Sequence, residues 1–260
     1  MQATFEVDEH HWWYRGRRRI IVAELDRLPL PAGAQVLDAG CGSGRTIQEL
    51  TRYGEVRGIE LSPEAAELAR SRGHDVEIGR LEELPWDRDI FDVVTCLDVI
   101  EHTPNDRLTL TELRRVTRPG GFLLVTVPAY PALWSYHDEA NHHYRRYSRR
   151  MLRSSAEAAG WRVQRMTSFN SVLLAPAAAV RLMQRRRATD NGQSIDLHVG
   201  PAWLNDVLEQ RVFSYIWDLD DQTWADVVQP AIDGLRALPD STRPRPVVQH
   251  RDLLVFKKAS

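Results

Sequence analysis

The sequence predicts an α/β fold, a doubly wound and mostly parallel sheet with helices on both faces. Three observations carry that expectation. Strand-like apolar runs alternate with helix-like runs from residue 34 to residue 168, the pattern of a sheet wrapped by crossover helices. The first run ends in closely spaced glycines at 40, 42 and 44, a strand-to-helix turn where the backbone can bend sharply. Composition is that of an ordinary globular chain, 43% hydrophobic and 27% charged over 260 residues, enough for one such domain carrying a sizeable insertion.

Taken in order, residues 34–39 (AQVLDA) read as a short buried strand. Residues 55–61 (EVRGIEL) are the second, and Ser62-Pro63-Glu64 opens a helix. Ser62 is its N-cap, Pro63 suits the first helical position, and Glu64 complements the dipole. Gly73 closes that helix. Residues 75–78 make a weaker third strand and 91–97 (FDVVTCL) a strong fourth. A helix over 106–117 runs into the turn Pro119-Gly120-Gly121, followed by a fifth strand at 122–127 (FLLVTV). Ser148 caps another helix, ended by Gly160; residues 161–167 are the sixth strand and 252–257 (DLLVFK) the seventh. Two segments fall outside this rhythm. Residues 1–33 contain HHWWYRGRRRII and then Ile21, Leu25 and Leu28 at helical spacing, the pattern of a helix. Residues 169–251 form an insertion, mostly helical by pattern, with Arg185 to Arg187, Trp203, Trp217 and Trp224, and a linker at 239–246.

Several function classes are excluded. A net charge of −2 provides no basic field for gripping nucleic acid, and no nucleic-acid partner is expected. Two cysteines cannot build a disulfide framework or a cysteine zinc cluster. The acidic first residues lack a signal-peptide layout, and the longest apolar stretch, 172–180, is broken by Pro176 and too short for a membrane span. The expectation is a soluble, cytoplasmic protein.

The most informative segment is Asp38-Ala39-Gly40-Cys41-Gly42-Ser43-Gly44. A dinucleotide fingerprint would place its third glycine at 45, where this chain has arginine. Asp38 precedes the loop, unwelcome beside a phosphate but suited to an ammonium group. Glu60 lies 22 residues further on, at the end of the second strand, where an acid can accept both hydroxyl hydrogens of a ribose. Together these describe a nucleoside without phosphates that carries an amino-acid tail.

VLDAGCGSG, GIELS, GRLEELPWD, FDVVTCLDVIEH and RVTRPGGFLLVTVP, in this order and spacing over residues 34–168, resemble the class I S-adenosylmethionine-dependent methyltransferases. HHWWYRGRR and VPAYPALWSYHDEANHHYRRYS look like the methyltransferase type 11, ubiquinone-biosynthesis-like subgroup with small-molecule or lipid-linked acceptors. The resemblance implies a Rossmann-like, seven-stranded sheet with an antiparallel last strand, built from 34–168 and 252–260, and the cofactor S-adenosyl-L-methionine. It implies that Asp38, Gly40, Gly42 and Gly44 hold the methionine moiety, Glu60 the ribose and Leu61 the adenine. Arg80, Leu81 and Glu82 would form the adenine-side loop; relatives often carry an acid at the place of Arg80, so Glu82 or backbone groups would replace that contact. Cys96, Leu97 and Asp98 would lie beneath the sulfonium, and the N-terminal helical segment, residues 1–33, would be a lid whose Tyr14 or Arg15 touches the cofactor.

For catalysis the candidates are His102, at the mouth of the site, and His137 or His143, in the loop after the fifth strand, each as general base or hydrogen-bond partner. His137, His142 and His143 with Asp138 and Glu139 also have metal-ligand chemistry, but no spacing sets a ligand geometry and no metal is assigned. Glu101 reads as structural. Arg145, Arg146 and Tyr147 are either contacts to an anionic acceptor or a solvated patch, and Arg17 to Arg19 a solvated face. The reaction expected is methyl transfer to oxygen, less readily nitrogen or carbon, of a small-molecule acceptor, with the aromatic insertion favouring a partly apolar one or a homodimer contact. The alternatives are a non-catalytic cofactor-binding scaffold and a nucleic-acid methyltransferase. LDVIEH lacks the Asn/Asp-Pro-Pro-aromatic pattern used on base amines, which counts against the second.

Overall fold

The computed structural model describes residues 12–131, 134, 136–169 and 251–259. Its elements are α1 (Trp12–Leu25), β1 (Ala34–Ala39), α2 (Arg45–Leu50), β2 (Gly54–Glu60), α3 (Pro63–Ser71), β3 (Asp75–Ile78) and β4 (Phe91–Leu97). A 3-10 turn (Ile100–His102) leads to α4 (Asp106–Val116), β5 (Thr117–Pro128), α5 (Tyr136–Ala140), α6 (Arg149–Ala158), β6 (Trp161–Phe169) and β7 (Arg251–Lys258). The strands lie in one sheet in the order β3-β2-β1-β4-β5-β7-β6. β1 to β5 pair in parallel, and β7 runs antiparallel between β5 and β6. The order reverses between β1 and β4, so the crevice beyond their carboxyl ends is where such a sheet offers a ligand site.

The central strands are buried on both sides, and alternation along each one sorts its side chains between two cores. Leu37, Val94, Cys96, Leu123, Val125, Leu254 and Phe256 belong to the core packed by α4 and α6 with Trp161. Val36, Val93, Leu97, Leu124, Leu253 and Val255 belong to the opposite core, closed by Ile20, Ile21 and Leu25 of α1. The second half of α1 is therefore a layer of the core. Three side-chain caps start helices: Ser62 accepts from Ala65 N, Asn105 from Leu108 N and Ser148 from Met151 N, each satisfying a backbone donor that the first helical turn leaves unpaired.

Two local features position loops near the crevice. Arg115 of α4 donates to the carbonyls of Leu84 and Trp86 while paired with Glu112, and Leu84 N donates to Glu112, which pins the segment after β3. The expected Pro119-Gly120-Gly121 turn is instead part of β5, whose pairing with β4 shifts between Phe91 and Val93. The 169–251 insertion falls outside the described residues except for its two ends, as do residues 1–11. Among the described residues no helix is long and apolar enough to cross a membrane.

Phe256 is fully buried in β7, on a strand separated from β6 by the whole insertion. Phe256→Ala should lower the unfolding free energy by about 3–5 kcal/mol, read as a lower denaturant midpoint at unchanged m, the cost of emptying a core aromatic site. A loss below about 1 kcal/mol, the range of surface changes, would contradict the closing role of this strand.

Candidate functional site

Glycine is required at the turn after β1. Gly40 has φ +79°, and a Cβ there would lie 2.5 Å from Val99 Cγ2, so the loop and the segment after β4 approach too closely for any side chain. Gly42 has φ +53° and open space where its Cβ would point; its amide donates to Glu60 Oε2 at 2.8 Å. The other carboxylate oxygen, Oε1, accepts from Ser62 N at 2.9 Å. Glu60 is thus held across the glycine loop by two backbone donors, and each oxygen retains a lone pair for a hydroxyl. Leu61, beside it, is 60% exposed, an apolar surface facing outward from the strand end.

Asp38 sits on β1 opposite Thr95 of β4. Thr95 Oγ1 donates to Asp38 Oδ1 at 2.7 Å, while Oδ2 is buried with no hydrogen-bond partner among the described residues. Burial pushes the Asp38 carboxyl up to about 6; the Thr95 hydrogen bond and the Arg17 guanidinium partly oppose this, and Glu60 adds to it. Arg17, on α1, donates to Leu97 O at 3.0 Å and pairs with Asp98 Oδ2 at 2.9 Å, and its Nε has no partner among the described residues. Asp98 itself has a left-handed backbone, φ +59°. Burial, followed by the charges of Asp38 and Glu60, drives the Cys41 thiol well above its usual range, so both carboxylates flank the loop. One acid with an unpaired buried oxygen, an arginine with a free donor and a second acid beyond a glycine turn suit a ligand carrying an ammonium, a carboxylate and vicinal hydroxyls.

A second cluster lies beyond the ends of β4 and β5. Glu101 is buried, His102 exposed, and the His143 side chain 5% exposed. Their ligand atoms lie within 4.8 Å of one another, and the two imidazole rings meet edge to face at 4.6 Å between centroids. One carboxylate and two imidazoles can take up either a proton or a divalent cation. Behind them Asp138 Oδ1 accepts from Arg146 Nε at 2.7 Å and lies 2.9 Å from His143 Nδ1.

The structure sorts the residues expected from sequence. Asp38, Gly40, Gly42, Gly44, Glu60, Leu61 and Asp98 surround the crevice. Leu81 and Cys96 bury their side chains in the core on the α4 side, so a ligand could meet only their backbone. Leu97 likewise buries its side chain and offers its carbonyl, which accepts from Arg17. Arg80 pairs at 3.6 Å with Glu82 and is largely exposed. His102 and His143 come together; the side chains of Tyr14, Arg15 and His137 lie outside the described residues.

Arg146 is buried against Asp138, Arg145 donates to Pro104 O at 2.7 Å, and Tyr147 OH donates to Asp106 at 3.0 Å. These three are committed inward, which corrects their reading as contacts to an anionic acceptor. Arg17 is corrected from a solvated face to a site residue. The signal was present, because Arg17 shares the 17, 20, 21, 25 stripe with buried Ile20, Ile21 and Leu25. Thr95 gave no signal, because only the register of β1 against β4 sets it beside Asp38.

Residues 37–125 match the family model described as a methyltransferase domain. A ubiquinone biosynthesis O-methyltransferase of Xanthomonas oryzae pv. oryzae is 36% identical over 118 residues, covering 42% of this chain and 49% of that protein. One of Pseudomonas aeruginosa is 32% identical over 140 residues, 46% of this chain and 58% of its own. The chain thus spans about half the length of the curated relatives it matches. Among solved structures, Haemonchus contortus phosphoethanolamine N-methyltransferase 2, in complex with S-adenosyl-L-methionine, superposes with a TM-score of 0.56 at 16% identity, over 93% of this chain and 52% of its own. The cyclase SpnF gives 0.55 at 20% identity, over 94% and 81%. Such likenesses concern the fold alone, and a cyclase among them shows that this sheet does not by itself dictate a reaction.

The raised Asp38 value has a stability consequence. A carboxyl whose folded value exceeds its unfolded value near 3.8 favours the folded state fully below about 3.8, and this contribution is lost as pH rises through about 6. In the ligand-free protein Asp38→Asn should therefore be stabilising above about pH 6, by of order 2–3 kcal/mol, and the gain should vanish near pH 4. Thermal or denaturant unfolding of both proteins across that range checks it; a difference that does not change with pH would contradict it.

Proposed function

We propose that this chain, whose core is a class I S-adenosylmethionine-dependent methyltransferase domain, transfers a methyl group to an oxygen of a small molecule. The observation that carries the reading is the unpaired, buried Oδ2 of Asp38 beside the glycine loop. It matches the ammonium of a methionine moiety, whose carboxylate would take the remaining donor of Arg17. Glu60 would accept the ribose hydroxyls on its free lone pairs, and Leu61 would cover the adenine, with Glu82 and the backbone after β3 at its edge. Tyr14 and Arg15 belong to the same proposed lining from the first turn of α1.

When bound, S-adenosylmethionine supplies an electrophilic methyl group on a sulfonium whose sulfur departs with the carbon–sulfur electron pair. The protein's own part is to align the acceptor, exclude water and remove a hydroxyl proton. Holding the reactants in line contributes roughly 7–11 kcal/mol of barrier reduction. The nitrogens of His102 and His143 are the groups suited to receive the proton, with His137 a further candidate. Oxygen is preferred because the curated relatives are named as O-methyltransferases, and an acceptor with an apolar part is preferred because the insertion contributes Trp203, Trp217 and Trp224.

Calorimetric titration with S-adenosylhomocysteine should give micromolar binding that Asp38→Ala and Glu60→Ala each weaken by about 1–3 kcal/mol, the cost of leaving a buried polar ligand group unpaired. Methyl-labelled donor incubated with small phenols, amines and tRNA should then label a phenol oxygen. Wild type that fails to bind S-adenosylhomocysteine would overturn the reading. Labelling confined to tRNA would keep the cofactor and overturn the acceptor class.

A further inference from the structure

Asp138 and Arg146 lie outside the residues assigned to the cofactor, yet they form a buried ion pair in which neither side chain is more than 2% exposed. The loop that carries them is tied down from several directions. His143 N donates to Asp138 O at 2.9 Å, Tyr144 N to Glu101 O at 2.8 Å, and Tyr130 N to Tyr147 O at 2.8 Å. Arg146 also reaches Ala129 O at 3.4 Å. Tyr130 and His142 hold left-handed backbone, φ +61° and +56°, a conformation that costs a side-chain-bearing residue energy and persists where surrounding contacts impose it. The arrangement of the imidazole is thus strongly determined by its neighbours.

The chemistry of Asp138 Oδ1 decides which ring nitrogen carries hydrogen. Arginine remains cationic throughout the protein pH range, so the carboxylate is its charge-matched partner, and a carboxylate can only accept. With Arg146 Nε at 2.7 Å and His143 Nδ1 at 2.9 Å from the same oxygen, Nδ1 must be a donor. A neutral imidazole has one N–H, so Nε2 is left with its lone pair. The ring lies against exposed His102, and the cluster includes Glu101 of the 3-10 turn after β4.

We propose that Asp138 is a positioning residue, holding His143 in the Nδ1–H tautomer so that a basic Nε2 is presented to the Glu101–His102 side of the crevice. Its purpose rests on the methyl-transfer reading, in which an acceptor hydroxyl must lose a proton. In that step the O–H bond breaks, the electron pair stays on oxygen, and the proton goes to Nε2. The resulting imidazolium keeps its Nδ1–H on Asp138, whose charge offsets the new positive charge. Arg146 in turn keeps Asp138 ionised and in place.

The test is a nitrogen–proton correlation spectrum of the histidine rings, recorded with rising pH until the ring shifts stop changing, with His143 signals assigned by their loss in His143→Gln. Wild type should show hydrogen on Nδ1 and a bare Nε2. Asp138→Leu, of similar size but with no acceptor, should lower the Nδ1–H fraction severalfold while near-ultraviolet circular dichroism stays native. A wild-type ring carrying its hydrogen on Nε2, or a folded Asp138→Leu that keeps the wild-type tautomer, would overturn the proposal. The wild-type spectrum decides the matter alone if the variant does not fold. Because this readout needs no donor or acceptor, absence of S-adenosylhomocysteine binding would remove the methyl-transfer reading and leave the tautomer result standing.

Discussion

A carboxylate drawn out of water into the middle of a sheet loses hydration that only a cation or several donors can replace. Asp38 receives one donor, Thr95, and the partial help of Arg17, and its second oxygen is left without a partner. The architecture around it follows from keeping that group both buried and accessible from one end. The parallel register places Asp38 and Thr95 side by side at the point where strand order reverses. The glycine turn leaves room above, and α1 closes the face with its second half while its first half delivers Arg17. Stability and function pull in opposite directions here: the same burial that weakens the ligand-free protein strengthens any interaction with an incoming ammonium group.

Much of the fold was legible because the central strands are apolar on both faces and are punctuated by residues with single structural uses. Ser62 and Ser148 cap helices as their positions indicate, Gly40 and Gly42 turn with positive φ, and DLLVFK closes the sheet although some 80 residues separate it from β6. Asp38 and Glu60 were readable because each ends or nearly ends a strand beside the loop. What escaped depends on long-range geometry. Thr95 is an ordinary strand threonine until register sets it against Asp38. Cys96 and Leu81 lie close in sequence to site residues, but period-two alternation and the path after β3 turn their side chains into the opposite core. The arginines and tyrosine at 145–147 look like a surface patch in sequence; their partners Asp106 and Asp138 lie in other elements.

The two clusters divide the work of the crevice. One, around β1 and β2, sets the acids Asp38 and Glu60 on either side of the glycine turn. The other, around the ends of β4 and β5, gathers Glu101, His102 and His143 from segments about 40 residues apart, over a buried Arg146–Asp138 pair. The first resembles a binding device and the second a proton-handling one, and the segment from Asp98 to His102 joins them.

The measurement that bears most directly on this account is the titration of the Asp38 side-chain carbon by nuclear magnetic resonance, with and without saturating S-adenosylhomocysteine. The account predicts a midpoint near 6 in the free protein that falls well below that value in the complex, because a bound ammonium favours the charged carboxylate. Superimposable titration curves in the two states would contradict it, since the unpaired oxygen of Asp38 would then not be the seat of the ligand.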